Sequence, residues 1–422
     1  MATTYFKSFI NKDAYDAYVA NADLPSIFVG YCATEDEVYY LKDSPAAQPL
    51  TFTAVDECTV HFRDHIYYST DNGSTWNYNE GEWTYVTLQP NATLQLRGNF
   101  NEQFQNGWLE MAENDDTHRY KLSGNIMSLY YPDAYYKATL PSDGSLNFWG
   151  AFSDREGLTD VSGLVLPNNC PDSAFREMFT RCPNLVNAGF TINAKNSGIQ
   201  AFLAMFNDCY NLTTAPTINV KKVCREGMQE MFHNCTSLVN APDLSSITGV
   251  YVPKDNDEGF AAGGAFKRMF NGCTSLTNVP MVPIVYKNTY DTTYESMFEG
   301  CSSLVIAPEV TITGANYDGD GGDTYHNMFN GCTSLSDTSK FKFSTEDGYV
   351  YFYGSKTSQI FDGCTSLTNI RFTGSSLPQR WPSNWLDNTT GGTITIDAGQ
   401  STSDWEAALG LDTSRWTCVE AS

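Results

Sequence analysis

The feature that most constrains this chain is a short motif that recurs seven times between residues 178 and 367. Each copy reads Met-Phe-x-x-Cys-x-x-Leu, with Ile in place of Met in the last copy. The copies superpose without gaps, and successive cysteines lie 27, 26, 38, 28, 31 and 32 residues apart. Such a period is typical of repeat proteins in which one unit cannot bury its apolar face alone. The motif therefore predicts a solenoid of stacked units.

The repeated side chains are expected to form buried ladders along the stack. We interpret the cysteines as reduced packing residues, since free Cys is among the most buried residue types. The chain has no CxxC motif and no His at ligand spacing from a Cys, so we expect neither zinc nor another cofactor. A degenerate unit, with Arg155 at the Cys position, precedes the seven. The predicted ladder residues are Phe179, Cys182, Leu185, Phe206, Cys209, Leu212, Phe232, Cys235, Leu238, Phe270, Cys273, Leu276, Phe298, Cys301, Leu304, Phe329, Cys332, Leu335, Phe361, Cys364 and Leu367.

Each unit is expected to contain one short strand and one opposing segment. Residues 212–218 and 238–244 alternate apolar and polar side chains around a Pro, which predicts the strand. Residues 223–232 have helical or turn character and should stack on the other side. Extra length falls in insertions at 249–264 and 314–325, where we expect variable, exposed surface.

The repeat unit, written A/M-F-x-x-C-x-S-L-x-x-A-P-x-L, resembles the BspA-type leucine-rich repeats. These occur in surface proteins of gut Bacteroidetes and in virion proteins of the phages that infect them. The resemblance covers about residues 148–373 of the 422. It implies a leucine-rich-repeat solenoid, display on a surface, and binding to proteins, glycans or matrix. It carries no catalytic residues.

The first third of the chain indicates two smaller units. Residues 6–21 have the pattern of a short helix, and residues 27–33 and 38–42 that of a hairpin. Five short runs separated by turn sequences predict a small β-sandwich, at residues 50–55, 59–63, 66–69, 83–88 and 93–97. The chain is thus expected to be mainly β with repeats. Its predicted parts are an attachment or hairpin element at 1–45, a β-sandwich-like domain at 46–130, the leucine-rich-repeat solenoid at 131–374 and a Trp-rich cap at 375–422.

Residues 69–76, Ser-Thr-Asp-Asn-Gly-Ser-Thr-Trp, resemble the Asp-box of sialidase-type propellers. In that motif the Asp and Gly close a hairpin turn and the Trp packs beneath it. The motif occurs once here, and the arginine cluster of sialidases is missing. We therefore expect Asp71, Gly73 and Trp76 to form a turn between two strands and not a catalytic site.

Four tryptophans follow the last repeat within forty residues, at positions 381, 385, 405 and 416. They predict a packed cap over the open end of the solenoid. The alternative is an exposed aromatic platform for carbohydrate, because sugar rings stack on indole faces.

An Asp-Gly-rich loop is a weak candidate for calcium. Asp318, Asp320 and Asp323 could converge oxygens on a hard cation, but the closing bidentate Glu is missing. The alternative is a solvated insertion. The five His residues show no metalloprotease or triad context, and no phosphate-binding loop occurs. We therefore expect a protein that is not an enzyme.

Charge and hydropathy limit the partners. The net charge of −24, from 25 basic and 49 acidic residues, disfavours nucleic acid, and no apolar run is long enough to span a membrane. Residues 1–11 lack the apolar region of a secretory signal, which favours a virion-surface protein over a bacterial cell-surface adhesin. A carbohydrate-active enzyme is the third alternative. Expected partners are other virion proteins through the N-terminal region and a host-surface glycan or protein through the repeats; self-association into a homo-oligomer is left open.

Overall fold

The computed structural model confirms a mainly β protein with a C-terminal β-solenoid. It describes residues 48–63, 65–98, 117–132, 135, 139–250, 263–281, 292–313, 325–344, 359–378, 381 and 384–421. It also describes the backbone of four strands outside these ranges: Tyr5–Phe9, Phe28–Cys32, Glu37–Tyr40 and Leu109–Met111.

The N-terminal segment forms a three-stranded sheet in the order β1-β2-β3. Strand β1 is Tyr5–Phe9, β2 is Phe28–Cys32 and β3 is Glu37–Tyr40. The predicted hairpin is confirmed, because β2 and β3 are antiparallel and Cys32 pairs with Glu37. The helix predicted from residue 6 is wrong over β1, which pairs in parallel with β2. Aromatic residues in this strand favour the extended backbone.

Two further sheets form the β-sandwich-like domain. The strands are β4 Leu50–Ala54, β5 Cys58–Phe62, β6 Ile66–Ser69, β7 Asn77–Tyr78, β8 Thr84–Leu88, β9 Thr93–Gly98, β10 Leu109–Met111 and β11 Tyr120–Asn125. One sheet has the order β10-β5-β8. The larger sheet has the order β12-β11-β4-β9-β6-β7, in which β12 is Leu158–Val165. Alternate residues such as Phe52, Val60 and Leu94 are buried in a shared core.

The larger sheet continues directly into the solenoid through β12, Leu158–Val165. This strand pairs in parallel with β11, while β11 pairs on its other side with β4. Gly163 lies opposite Ser123, and a Cβ atom at Gly163 would lie 2.7 Å from the Ser123 Cβ. The close approach therefore requires glycine at this junction.

Parallel strands form one face of the solenoid. They are β13 Thr191–Asn196, β14 Thr217–Val223, β15 Gly249–Val250, β16 Val310–Thr313, β17 Phe341–Ser344, β18 Asn369–Thr373, β19 Gly392–Ile396 and β20 Trp416–Glu420. The prediction for 212–218 was misplaced, because β14 begins after Pro216, which has no N–H for a sheet ladder. Residues 238–244 form no strand; they contribute only an isolated bridge at Asn240.

The opposite face consists of tandem turns and not of helix. A residue with a left-handed backbone recurs at every fourth position, for example Ser173, Glu177 and Arg181. Alternate N–H groups bond within the coil and to the next coil: Met178 N donates to Phe175 O at 3.3 Å, and Phe179 N donates to Met205 O at 2.9 Å. A helix would keep all of these hydrogen bonds inside one coil. The hydrogen bonds between stacked coils therefore favour tandem turns over a helix on this face.

The C-terminal region adds a coil without cysteine and then a helix. Phe361 N donates to Trp385 O at 3.1 Å, which places Thr389 at the position that Cys occupies in the repeats. Helix α1, Thr402–Leu409, is capped by the Ser401 side chain and ends at Gly410, whose φ is 61°. Trp385, Trp405 and Trp416 are all buried. These three tryptophans therefore pack on the core, as the predicted cap requires, and the alternative of an exposed carbohydrate platform is wrong for them.

Candidate binding surfaces

The repeated cysteines hold adjacent coils together through their thiols. Each Sγ donates a hydrogen bond to the carbonyl oxygen of the ladder Phe in the preceding coil, such as Cys235 to Phe206 at 3.2 Å and Cys273 to Phe232 at 3.1 Å. The same carbonyl accepts the backbone N–H of the Cys in its own coil. Cys suits this position because it combines a small apolar body with a weak donor.

Burial keeps these thiols protonated at neutral pH. It raises the pKa of Cys182 and of Cys273 to about 12, and it raises the pKa of Cys209 well above its ordinary value. A thiol in this state is a poor nucleophile, since the thiolate is the reactive form. Within the described ranges, no group of three His, Cys, Asp or Glu side chains could hold a metal ion.

The ladder phenylalanines form a continuous stack. Phe206, Phe232 and Phe270 have ring centroids 5.5 to 5.6 Å apart and planes within 3° of parallel. All 21 predicted ladder side chains are fully buried. They are internal packing residues and cannot contact a ligand directly.

A second aromatic stack runs beside the first and was missed in the sequence. Its members lie four residues before the ladder Phe of their coil, with Met228 in place of an aromatic ring in one coil. The pairs Phe175–Phe202, Phe266–Tyr294 and Tyr294–Tyr325 have centroids 5.5 to 5.8 Å apart. The recurring aromatic residue at this offset was a usable signal.

The residues of the Asp-box lie in the turn between β6 and β7. The Asp71 carboxylate accepts hydrogen bonds from Thr75 N at 2.8 Å, Thr75 Oγ1 at 2.6 Å and Ser69 Oγ at 2.7 Å. These bonds, chiefly those from Thr75, lower the pKa of Asp71 to about 2. Gly73 has a φ of +81°, and Trp76 Nε1 donates to its carbonyl oxygen at 3.1 Å. The carboxylate is thus occupied in closing the turn.

The calcium candidates Asp318, Asp320 and Asp323 lie outside the described residues. So do most of the two insertions in which we expected variable surface. An exposed polar surface that the structure does describe lies on β13 and β14.

These two strands repeat the pattern Thr-Ile-Asn-Ala/Val-Lys in register. Thr191 pairs with Thr217, and Asn193 pairs with Asn219. The Thr, Asn and Lys side chains are exposed, while the intervening apolar residues are buried. Asn219 Nδ2 donates to Asn193 Oδ1 at 3.0 Å. The result is a flat polar surface held by coil-to-coil hydrogen bonds.

A groove of about 260 Å³ adjoins this polar surface at the start of β14. It forms because the next coil makes a turn at Asp243 and Ser245 where a strand would otherwise pair. The Ser246 hydroxyl bonds to Ile218 O at 2.9 Å and to Val220 O at 3.1 Å, so it covers part of the open strand edge. The groove and the β13–β14 surface together are the candidate binding surface of the solenoid.

A comparison with protein-family models finds none that matches this chain, and a comparison with curated proteins finds no match. Of the helices in the described part of the chain, none has both the length and the apolar character needed to cross a membrane.

Proposed function

We propose that this chain is a non-enzymatic structural protein of a phage virion surface: a head fibre, a capsid decoration protein or a tail-associated adhesin. We further propose that its solenoid belongs with the BspA-type leucine-rich repeats, on the basis of the Met-Phe-x-x-Cys-x-x-Leu unit. In this role the N-terminal region binds other virion proteins, and the repeats attach to a glycan or protein of the host surface.

One observation carries the proposal: the side chains that build the ladders are buried, which leaves the exposed side chains free to differ between coils. The Phe, Cys and Leu of every unit are fully buried. The exposed corner after the ladder Leu holds Val186, Thr213 and Val239 in successive coils, so a side chain there can change without altering the ladders. An architecture of this kind supports display of a variable surface on a constant scaffold. The buried, protonated thiols are packing groups in the same scaffold.

Location is tested by mass spectrometry of purified virions and of outer-membrane fractions from the host. The proposal expects peptides of this chain in virions. Peptides found only in the membrane fraction would replace it with the alternative of a bacterial cell-surface adhesin. Hydrolysis of glycans by the purified full chain would instead favour a carbohydrate-active enzyme.

Attachment is tested by the binding of the full chain to intact host cells. Asn219→Arg and Asp243→Arg place bulky charge on the candidate binding surface, and we expect each to weaken binding roughly tenfold. The matched control is Ala407→Arg, an exposed position on helix α1 in the C-terminal region. Equal loss for all three variants, or none for the first two, would place attachment elsewhere.

A further inference from the structure

Two exposed tyrosines and a half-buried arginine form a row across the outer face of the larger N-terminal sheet. Tyr67 on β6 lies directly opposite Tyr78 on β7 and directly opposite Arg97 on β9. Directly opposite residues of antiparallel strands share one face of the sheet. Tyr67 is 39% exposed and Tyr78 is 47% exposed, and their rings are 4.6 Å apart. The two rings thus present a continuous aromatic surface beside an arginine.

The Arg97 guanidinium packs on an indole ring and has no carboxylate partner among the described residues. Its central carbon lies 4.0 Å from the centre of the Trp76 ring, and its Nε is buried with no hydrogen-bond partner among the described residues. Several other arginines of this acidic chain are paired with carboxylates. Examples are Arg119 with Asp56, Arg181 with Asp154 and Arg371 with Asp397. Arg97 is therefore an oriented cation that lacks an anion in the described structure.

The surroundings fix the row in position. His65 Nδ1 lies 2.9 Å from the Tyr78 hydroxyl, which orients that ring. Trp76, which supports Arg97, is tied to the Asp-box turn through its bond to Gly73. A site whose side chains are already ordered loses little conformational entropy on binding.

We propose that Tyr67, Tyr78 and Arg97 bind an acidic sugar, meaning a saccharide unit that carries a carboxylate. The C–H face of the sugar ring packs on the tyrosine rings, and its carboxylate pairs with the guanidinium, whose planar fork matches that group. The net charge of −24 disfavours polyanions such as nucleic acid, whereas a ligand with isolated carboxylates needs only one cation. This inference goes beyond the proposed function, which assigns host attachment to the repeats, because it adds a saccharide site on the β-sandwich-like domain.

The test is saturation-transfer NMR on the full chain with D-glucuronic acid, N-acetylneuraminic acid and D-glucose as probes. We expect one or both acids to bind, and the neutral sugar to bind roughly ten- to hundredfold more weakly, because it lacks the charge-assisted hydrogen bonds. Affinity for the acid should fall as salt is raised. A single-stranded oligonucleotide serves as the competing class of ligand.

Variants assign the binding to this row. Arg97→Gln should weaken acid binding roughly ten- to hundredfold, and Tyr67→Ala roughly three- to tenfold. The matched control is Tyr85→Ala, since Tyr85 is 63% exposed but lies on β8 in the other sheet. Because Arg97 packs on Trp76, thermal unfolding of each variant is measured, and Arg97→Lys provides a second variant that retains charge but not the fork.

The proposal is overturned if neither acid binds, if acid and neutral sugars bind equally, or if Arg97→Gln folds and binds as well as the unmodified chain. Binding of the oligonucleotide in place of the acids also overturns it. The result of the sugar-binding test does not depend on whether the protein is found in virions or in membranes. Acid binding by a protein found only in membranes removes the virion role alone, and a virion protein that binds no acidic sugar removes this site alone.

Discussion

The Cys235 thiol donates a hydrogen bond to the backbone carbonyl of Phe206, 3.2 Å away in the preceding coil. That carbonyl also accepts the N–H of Cys209 in its own coil at 3.1 Å. The thiol is thus a second donor to a carbonyl oxygen that already accepts one backbone hydrogen bond. The cysteines contribute to stability through polar as well as apolar contact.

Replacing this thiol should cost more than replacing a buried thiol outside the ladder. Cys235→Ala loses the sulfur and its hydrogen bond, whereas Cys58→Ala loses a buried sulfur with no such bond. We expect the free energy of unfolding to fall by about 1 kcal/mol more in the first variant, measured by urea denaturation. Equal losses would show that the thiol acts only by filling space.

Removing one ring of the aromatic stack should destabilise the solenoid strongly. Phe232 is fully buried and lies 5.5 Å from Phe270. We expect Phe232→Ala to lower the free energy of unfolding by about 3–5 kcal/mol, since it leaves a cavity between two coils. The control is Tyr210→Ala, whose side chain is 45% exposed. A loss below about 1 kcal/mol for Phe232→Ala would contradict the stacking account.

The left-handed backbone at Gly300, and not crowding by neighbouring atoms, should decide which residues can replace this glycine. Its φ is +75°, while an added Cβ would meet Gly272 Cα at an ordinary 3.8 Å. Asn234 adopts a φ of 58° at the equivalent position of another coil. We expect Gly300→Val to cost about 1–2 kcal/mol in chemical denaturation and Gly300→Asn clearly less, because Asn tolerates this conformation. Equal costs would implicate side-chain contact instead.

The Asp-box turn should titrate at unusually low pH. Hydrogen bonds lower the pKa of Asp71 to about 2 from an ordinary 3.8. A lowered folded-state pKa means that its contribution to stability is present above pH 3.8 and is lost as pH falls through about 2. NMR titration of the Asp71 carboxyl carbon should show this midpoint, and Thr75→Val should move it towards 3.8. A midpoint near 3.8 in the unmodified chain would contradict the hydrogen-bonded geometry.

Much of the architecture could be predicted from the sequence, because the period of the repeat motif and the alternation of apolar and polar residues indicate which side chains are buried. The seven-fold motif predicted the solenoid, and the run at 66–69 predicted β6 with the bounds that the structure has. The tandem turns were harder to foresee. Residues such as Glu177 and Arg181 adopt a left-handed backbone because bonds to the next coil require it, and neither residue type signals this.

The candidate surfaces depended on information that no local pattern carries. The row of Tyr67, Tyr78 and Arg97 exists only through the register of three strands. The groove beside β14 exists because one coil turns at Asp243 in place of pairing. The sequence did not reveal the extra coil at Trp385, because Thr389 lies where the motif has Cys. The recurring motif therefore ends one coil before the stacking does.

Because the coil-to-coil bonds are interchangeable, a gene for such a protein can lose or gain whole coils. Cys209 bonds to the Phe179 carbonyl as Cys235 bonds to that of Phe206. Deleting residues 209–234 in frame would let Cys235 take over the bond to Phe179, and tandem duplication of the same stretch would insert one more such bond. Unequal recombination could then alter the length of the molecule in steps of about 4.8 Å, the spacing of neighbouring strands, while keeping the thiol–carbonyl bond between the coils that it joins.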